Sequence, residues 1–212
     1  MCTREEIIVM QIENPIQNVK ISVADPTAIG LFGLAMVTLV ASSQKLGFTS
    51  ETALVIPWAI FLGALAQLYA SIVDGKLGNT FGATAFAGYG FFWLGVAMTW
   101  LIQLGALGEP LQQAADKNQL GVAFVGYLIF TLYMTYGSAS IHKVLFFIFI
   151  FIDFLFIGLS LNVLAGSHFG HMLAACSELI ISLLAFYGSA AAVLNKHYGK
   201  IVLPVGKPFI ER

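Results

Sequence analysis

An all-α integral membrane protein, a glycine-packed bundle of six transmembrane helices, is the fold this sequence predicts. Three observations carry that expectation. Of 212 residues, 58% are hydrophobic and only 10% charged, with a mean hydropathy of +0.87, whereas soluble domains carry about 25% charged residues. The apolar residues gather into six blocks near the ~20 residues that a helix needs to cross hydrocarbon. Many of the 21 glycines lie inside those blocks, where small residues let helices approach backbone to backbone.

The first block, residues 27–43, follows Asp25-Pro26, and proline in a first turn is a helix-entry signal. The others cover residues 52–73, 81–104, 120–137, 144–164 and 171–194. Their connectors hold the expected breakers: Gln44 to Gly47, Asp74 to Gly78, Gly105 to Asn118 with Pro110, and Gly166 to Gly170. Residues 25–206 thus form one six-helix unit, with an N-terminal segment at 1–24 and a short tail at 207–212. The N-terminal segment lacks an unbroken apolar stretch of the signal-peptide kind. Its alternating Ile7, Val9, Ile12, Ile16, Val19 and Ile21 fit a surface-lying segment or an unordered one.

Orientation follows from the cations. Arg4, Lys20, Lys76, Lys143, Lys196, Lys200, Lys207 and Arg212 fall on one side, and Lys45 and Lys117 on the other. Both termini are therefore expected in the cytoplasm, with the chain spanning the cell membrane. Net charge is −1 and no basic stripe exists, so nucleic acid is not an expected partner. Cys2 and Cys176 form no disulfide framework and no CxxC pair. His168 and His171 lack a third ligand at metal-site spacing, so neither a metal nor another cofactor is expected.

The run from Gly78 to Gly95, GNTFGATAFAGYGFFWLG, is the most informative in the chain. At about 100° per residue, Gly82, Phe86, Tyr89 and Trp93 share one stripe of the third span, and Thr84, Gly88 and Gly95 a neighbouring one. Gly78 and Gly82 are spaced as a small-xxx-small contact. Glycines let a partner helix come close, and the aromatic rings then project into the remaining gap. Such apolar constrictions gate pores by dewetting, while a Tyr hydroxyl supplies one polar point for a solute. A glycine-packed core helix with a hydrogen-bonded Tyr is the competing structural reading.

Three motifs carry a resemblance. The entry Ala24-Asp25-Pro26-Thr27-Ala28-Ile29-Gly30-Leu31-Phe32-Gly33-Leu34 resembles the N-P-A-P-L-G-L signature that opens the acetate uptake transporter family. Gly78-Asn79-Thr80-Phe81-Gly82, with Thr84-Ala85-Phe86 and Tyr89-Gly90, resembles that family's second motif. The tail Val193-Leu194-Asn195, Tyr198-Gly199-Lys200 and Leu203-Pro204-Val205-Gly206 is similar to its C-terminal end. The resemblance implies a six-helix protomer in a homo-hexamer. Each protomer would hold a path for acetate and related small monocarboxylates or succinate, acting as a proton symporter or an anion channel. It further implies a constriction of a first-span Phe, a third-span Tyr and a fifth-span Leu. Tyr89 matches the Tyr. Leu34 stands where the Phe would be, which makes the gate wider or softer, and Ile152 is the counterpart of the Leu. Asp25, Pro26 and Gly30 form the entry motif, in which Asp25 replaces Asn and Ala28 replaces the second Pro.

Polar groups inside the spans complete the expected path. Gln67, Asn79, Thr80 and Thr84 are path candidates, because uncharged hydrogen-bonding groups bind a carboxylate without trapping it, and Phe86 joins them as an aromatic ring of the third-span stripe. Asp153 lies in the run FFIFIFIDFLF, where an ionised Asp costs at least about 2.5–3.5 kcal/mol; it is expected to be neutral or hydrogen-bonded. Asp153, Glu178 and His171 are the candidates for proton coupling, with Glu178 and His171 on nearly one face of the sixth span. Each is also open to a purely structural reading. No Lys or Arg lies within the six blocks, which favours conduction or rapid exchange over tight capture. An intramembrane enzyme and a passive scaffold are the alternative classes. The first lacks GxSxG, HExxH or a paired-acid motif, and the second leaves Gln67 and Asp153 unexplained.

Overall fold

The computed structural model describes residues 23–211; the surface-lying or unordered segment expected at 1–24 lies almost wholly outside them. Six helices are long and apolar enough to cross a membrane: α1 (Thr27–Lys45), α2 (Val55–Lys76), α3 (Thr80–Gln103), α4 (Lys117–Ser138), α5 (Lys143–Ala165) and α6 (His168–Tyr198). A five-residue helix, Glu109–Gln113, sits in the connector between α3 and α4.

The helix starts follow capping chemistry. Asn79, Asp116, His142 and Ser167 precede α3, α4, α5 and α6, and each side chain accepts a backbone N–H that the first turn leaves unpaired. α2 is irregular: after Pro57 it widens into a π-helix over Ala59–Ala66 and returns to α geometry at Gln67. π segments are frequent at functional sites, and this one delivers Gln67 to mid-bundle.

α6 packs along both α1 and α5, α4 packs on α5, and α2 lies between α1 and α3. Bare glycine Cα atoms set the closest approaches. A Cβ on Gly158 of α5 would stand 2.6 Å from the Gly170 carbonyl oxygen and the Ala174 nitrogen of α6. Ser182 and Ser189 of α6 donate to the Ala35 and Ala28 carbonyls of α1 at 2.8 and 2.7 Å.

Several expectations differ from the structure. Gly78 does not pack helix on helix; it takes a left-handed turn (φ 73°) ahead of α3, with open space where a Cβ would be, and Gly95 likewise meets nothing. Asp74 and Lys45, read as connector residues, belong to the last turns of α2 and α1.

Candidate functional site

A cavity of about 520 Å³ opens at the end of the bundle where α1 begins and α6 ends. It reaches Leu34, which a rise of ~1.5 Å per residue places roughly 10 Å along α1 from Thr27. Leu34, Gln67, Tyr89 and Ile152 are its deepest lining residues. Leu34, Tyr89 and Ile152 are 6%, 5% and 3% exposed. One turn beyond Tyr89, Trp93 fills the gap between Gly63 and Val37: a Cβ on Gly63 would lie 2.8 Å from Trp93 Cγ and 3.1 Å from Val37 Cγ1. The cavity is therefore blind, open to one side of the bundle and closed at the aromatic stripe.

The α3 stripe builds one wall. Gly82, Phe86 and Tyr89 line the cavity, and Phe86 has room because Gly30 of the entry motif presents no Cβ to its ring. Asp25 accepts the Thr27 N–H at 2.9 Å and, with Pro26, sets the first turn of α1 at the mouth. The other wall comes from Ile148, Phe149 and Ile152 of α5, Gly188 of α6 and Val205 of the C-terminal tail. Asn195 holds that tail: its Oδ1 accepts the Val202 and Leu203 N–H groups at 2.7 and 2.9 Å, and its Nδ2 donates to the Leu203 carbonyl at 2.8 Å.

Polar groups are few. The Tyr89 hydroxyl lies 3.0 Å from Thr131 Oγ1, and Thr131 donates its own proton to the Tyr127 carbonyl at 2.8 Å. A hydroxyl has one proton, so Tyr89 is the donor and turns lone pairs, not a proton, to its remaining surroundings. Gln67 donates Nε2 to the Gly63 carbonyl at 2.6 Å, leaving its buried Oε1 without a partner among the described residues. At the mouth, Asp74 Oδ1 accepts from Asn79 Nδ2 at 2.9 Å while Oδ2 has no partner among the described residues. His142, between α4 and α5, lines the cavity with Nδ1 accepting the Leu145 N–H at 3.1 Å. Burial holds its imidazole below the usual value of 6.5.

The cavity thus gathers Leu34, Tyr89, Ile152, Phe86, Gln67, Asn79 and Asp25. Thr80 and Thr84 are exposed and do not line it; two residues from Gly82 and from Phe86, Thr84 lies about 200° round the helix. Asp153 faces α4 instead, where its Oδ2 accepts from Thr135 at 2.8 Å. Glu178 and His171 do not pair with each other. Both meet Lys45 at the far end of the bundle: the ammonium donates to Glu178 Oε2 at 2.8 Å, and His171 Nε2 lies 2.9 Å from the Lys45 carbonyl. None of these three acid–base groups lines the cavity. Sequence reasoning missed Asp74, Lys196 and His142, which the connectors and helix ends bring to the cavity. Asp74 has a readable signal in retrospect, since it lies five residues before the Asn79 that caps α3 and reaches back to it. Among the described residues, no three His, Cys, Asp or Glu side chains group as metal ligands.

The profile of the GPR1/FUN34/yaaH family matches residues 10–207. The chain is 35% identical over 185 residues to the succinate-acetate/proton symporter SatP of Escherichia coli (strain K12), covering 87% of this chain and 96% of that one. It is 29% identical over 203 residues to acetate permease A of Emericella nidulans, covering 86% of this chain and 65% of that protein. The solved structure of the bacterial acetate channel SatP superposes with a TM-score of 0.80 at 33% identity, covering 87% of this chain and all (100%) of the other.

Proposed function

The chain belongs to the GPR1/FUN34/yaaH family, and from that premise we propose that it carries acetate and related small carboxylates, succinate among them, across the cell membrane. The observation that supports this most is the blind cavity ending on Leu34, Tyr89 and Ile152. It is roomy enough for a small carboxylate, lined mainly by apolar side chains, and stopped by a narrow plug that a small motion of rings would open. The relatives are named for symport, permeation and channel activity, so the chemistry here is passage, not conversion.

In this reading, Leu34, Tyr89 and Ile152 form the constriction, Phe86 narrows the approach, and Asn79 marks the entrance. Gln67 supplies the polar contact at the deepest point: with Nε2 committed to the Gly63 carbonyl, its free Oε1 accepts from a protonated acid. Asp153 and Glu178 support passage without obligatory coupling, because each is bonded away from the cavity. Proton linkage then enters through the acid–base equilibrium of the substrate, with Asp153, Glu178 and His171 acting as structural ties. The cation distribution supports a cytoplasmic mouth and cytoplasmic termini. Family membership supports a homo-hexamer with one path per protomer; exposed apolar residues such as Phe61, Leu65 and Ile129 then face lipid or a sibling copy.

Radiolabelled acetate uptake into proteoliposomes tests the reading. Flux well above that of empty liposomes, responding to an imposed potential, is the expected result. Uptake equal to that of empty liposomes would remove it.

A further inference from the structure

We propose that Asp74 is the charge-selecting residue of the cytoplasmic mouth, slowing the entry of dianions relative to monoanionic or neutral acids, so that succinate enters chiefly in its singly charged form; this rests on the transport reading above. Asp74 is 2% exposed, yet it lines both the cavity and its outer mouth. One carboxylate oxygen is held by Asn79, and the other, unpartnered, lies against the bare Cα of Gly82, itself a lining residue. A side chain at position 82 would collide with that oxygen, so the glycine of the α3 motif and the carboxylate of α2 share one space.

The charged groups around this point are few. Asp25 faces Asp74 from the start of α1 and Lys196 from the end of α6, while His142 lies in the same cavity with burial favouring its neutral form. Lys76, on Asp74's own helix, is exposed and lines neither. With Asp74 ionised, two carboxylates against one ammonium leave the described lining with one net negative charge, in a recess whose apolar walls focus the field. A monoanion can travel beside Lys196. A dianion meets twice the repulsion and has no second cation among these residues.

The test compares initial succinate and acetate fluxes in proteoliposomes at about pH 7.5, for wild type, Asp74→Asn and Lys196→Gln. In Asp74→Asn the succinate:acetate ratio is expected to rise about tenfold, the low end of what a focused charge does to an entry rate. In Lys196→Gln it is expected to fall. Opposite shifts are something a merely structural role for either residue would not give. An unchanged ratio in Asp74→Asn overturns the proposal while leaving acetate transport standing, whereas absent acetate flux in wild type overturns the transport reading itself. Should Asp74→Asn fail to fold, the wild-type ratio decides. It must climb as pH falls and succinate's second carboxyl takes up a proton, and a flat ratio overturns the proposal.

Discussion

The Tyr89 hydroxyl donates to Thr131 Oγ1 at 3.0 Å, because the Thr131 proton is already committed to the Tyr127 carbonyl. The ring at the end of the cavity is therefore anchored sideways to α4, and its proton is not offered to a passing carboxylate. Tyr89→Phe should keep acetate flux within about twofold, because the ring stays. It should cost about 0.6 kcal/mol, the average for a hydrogen bond between membrane helices. Flux and thermal unfolding in detergent measure both; a flux loss of tenfold or more would assign the hydroxyl a direct role.

Lys45 and Glu178 close the opposite end of the bundle. Glu178 is buried and Lys45 mostly so. Removing one partner leaves the other charge stranded, at about 3–5 kcal/mol, whereas replacing both with apolar groups is often near neutral. Lys45→Met should therefore lower the melting temperature more than Lys45→Met/Glu178→Met does, a reversal of simple additivity that thermal unfolding of the two variants reads directly.

Glycine positions separate by what a Cβ would strike. At Gly158 it meets backbone atoms of Gly170 and Ala174 at 2.6 Å, atoms that cannot turn aside. Gly158→Ala should destabilise by about 1–3 kcal/mol. At Gly95 there is open space, and Gly95→Ala should be neutral or gain up to about 1 kcal/mol from helix propensity. Detergent melting curves of the pair provide the check.

His142 makes stability depend on pH. Its folded value lies below 6.5 through burial, so between the two values the unfolded chain holds more protons and stability rises with pH. The contribution is complete above 6.5, is lost as pH falls below it, and levels off once the folded imidazole is protonated. Protonation at Nδ1 would also remove the acceptor that caps Leu145. His142→Asn should keep a capping acceptor and flatten that part of the profile; melting temperatures from about pH 8 to pH 5 record the difference.

The six spans were legible because hydrocarbon imposes length and composition on every one of them, and the α3 stripe because 100° periodicity puts Gly82, Phe86, Tyr89 and Trp93 on one face. Asp74 was not legible as a lining residue. Polar and glycine residues at a helix end read as a connector, yet α2 runs on through Lys76. The π segment at Ala59–Ala66 has no local pattern beyond Pro57, since its register comes from packing against Gly33 and Trp93. Nor does spacing alone show where Asp153, Glu178 and His171 point. A position on a helix face becomes a partner only through the neighbouring helix, and those neighbours proved to be Thr135 and Lys45. Thr84 illustrates the opposite error, a residue drawn in by its hydroxyl although the helix turns it outward.

Potential-driven acetate flux through Tyr89→Ala, set beside Leu34→Trp, bears most directly on the constriction. With the Tyr89 ring gone the narrowest point opens, and flux should rise about tenfold, equivalent to about 1.4 kcal/mol off the barrier; an indole at position 34 should abolish it. Wild-type flux in both variants would show that carboxylate does not pass between Leu34, Tyr89 and Ile152.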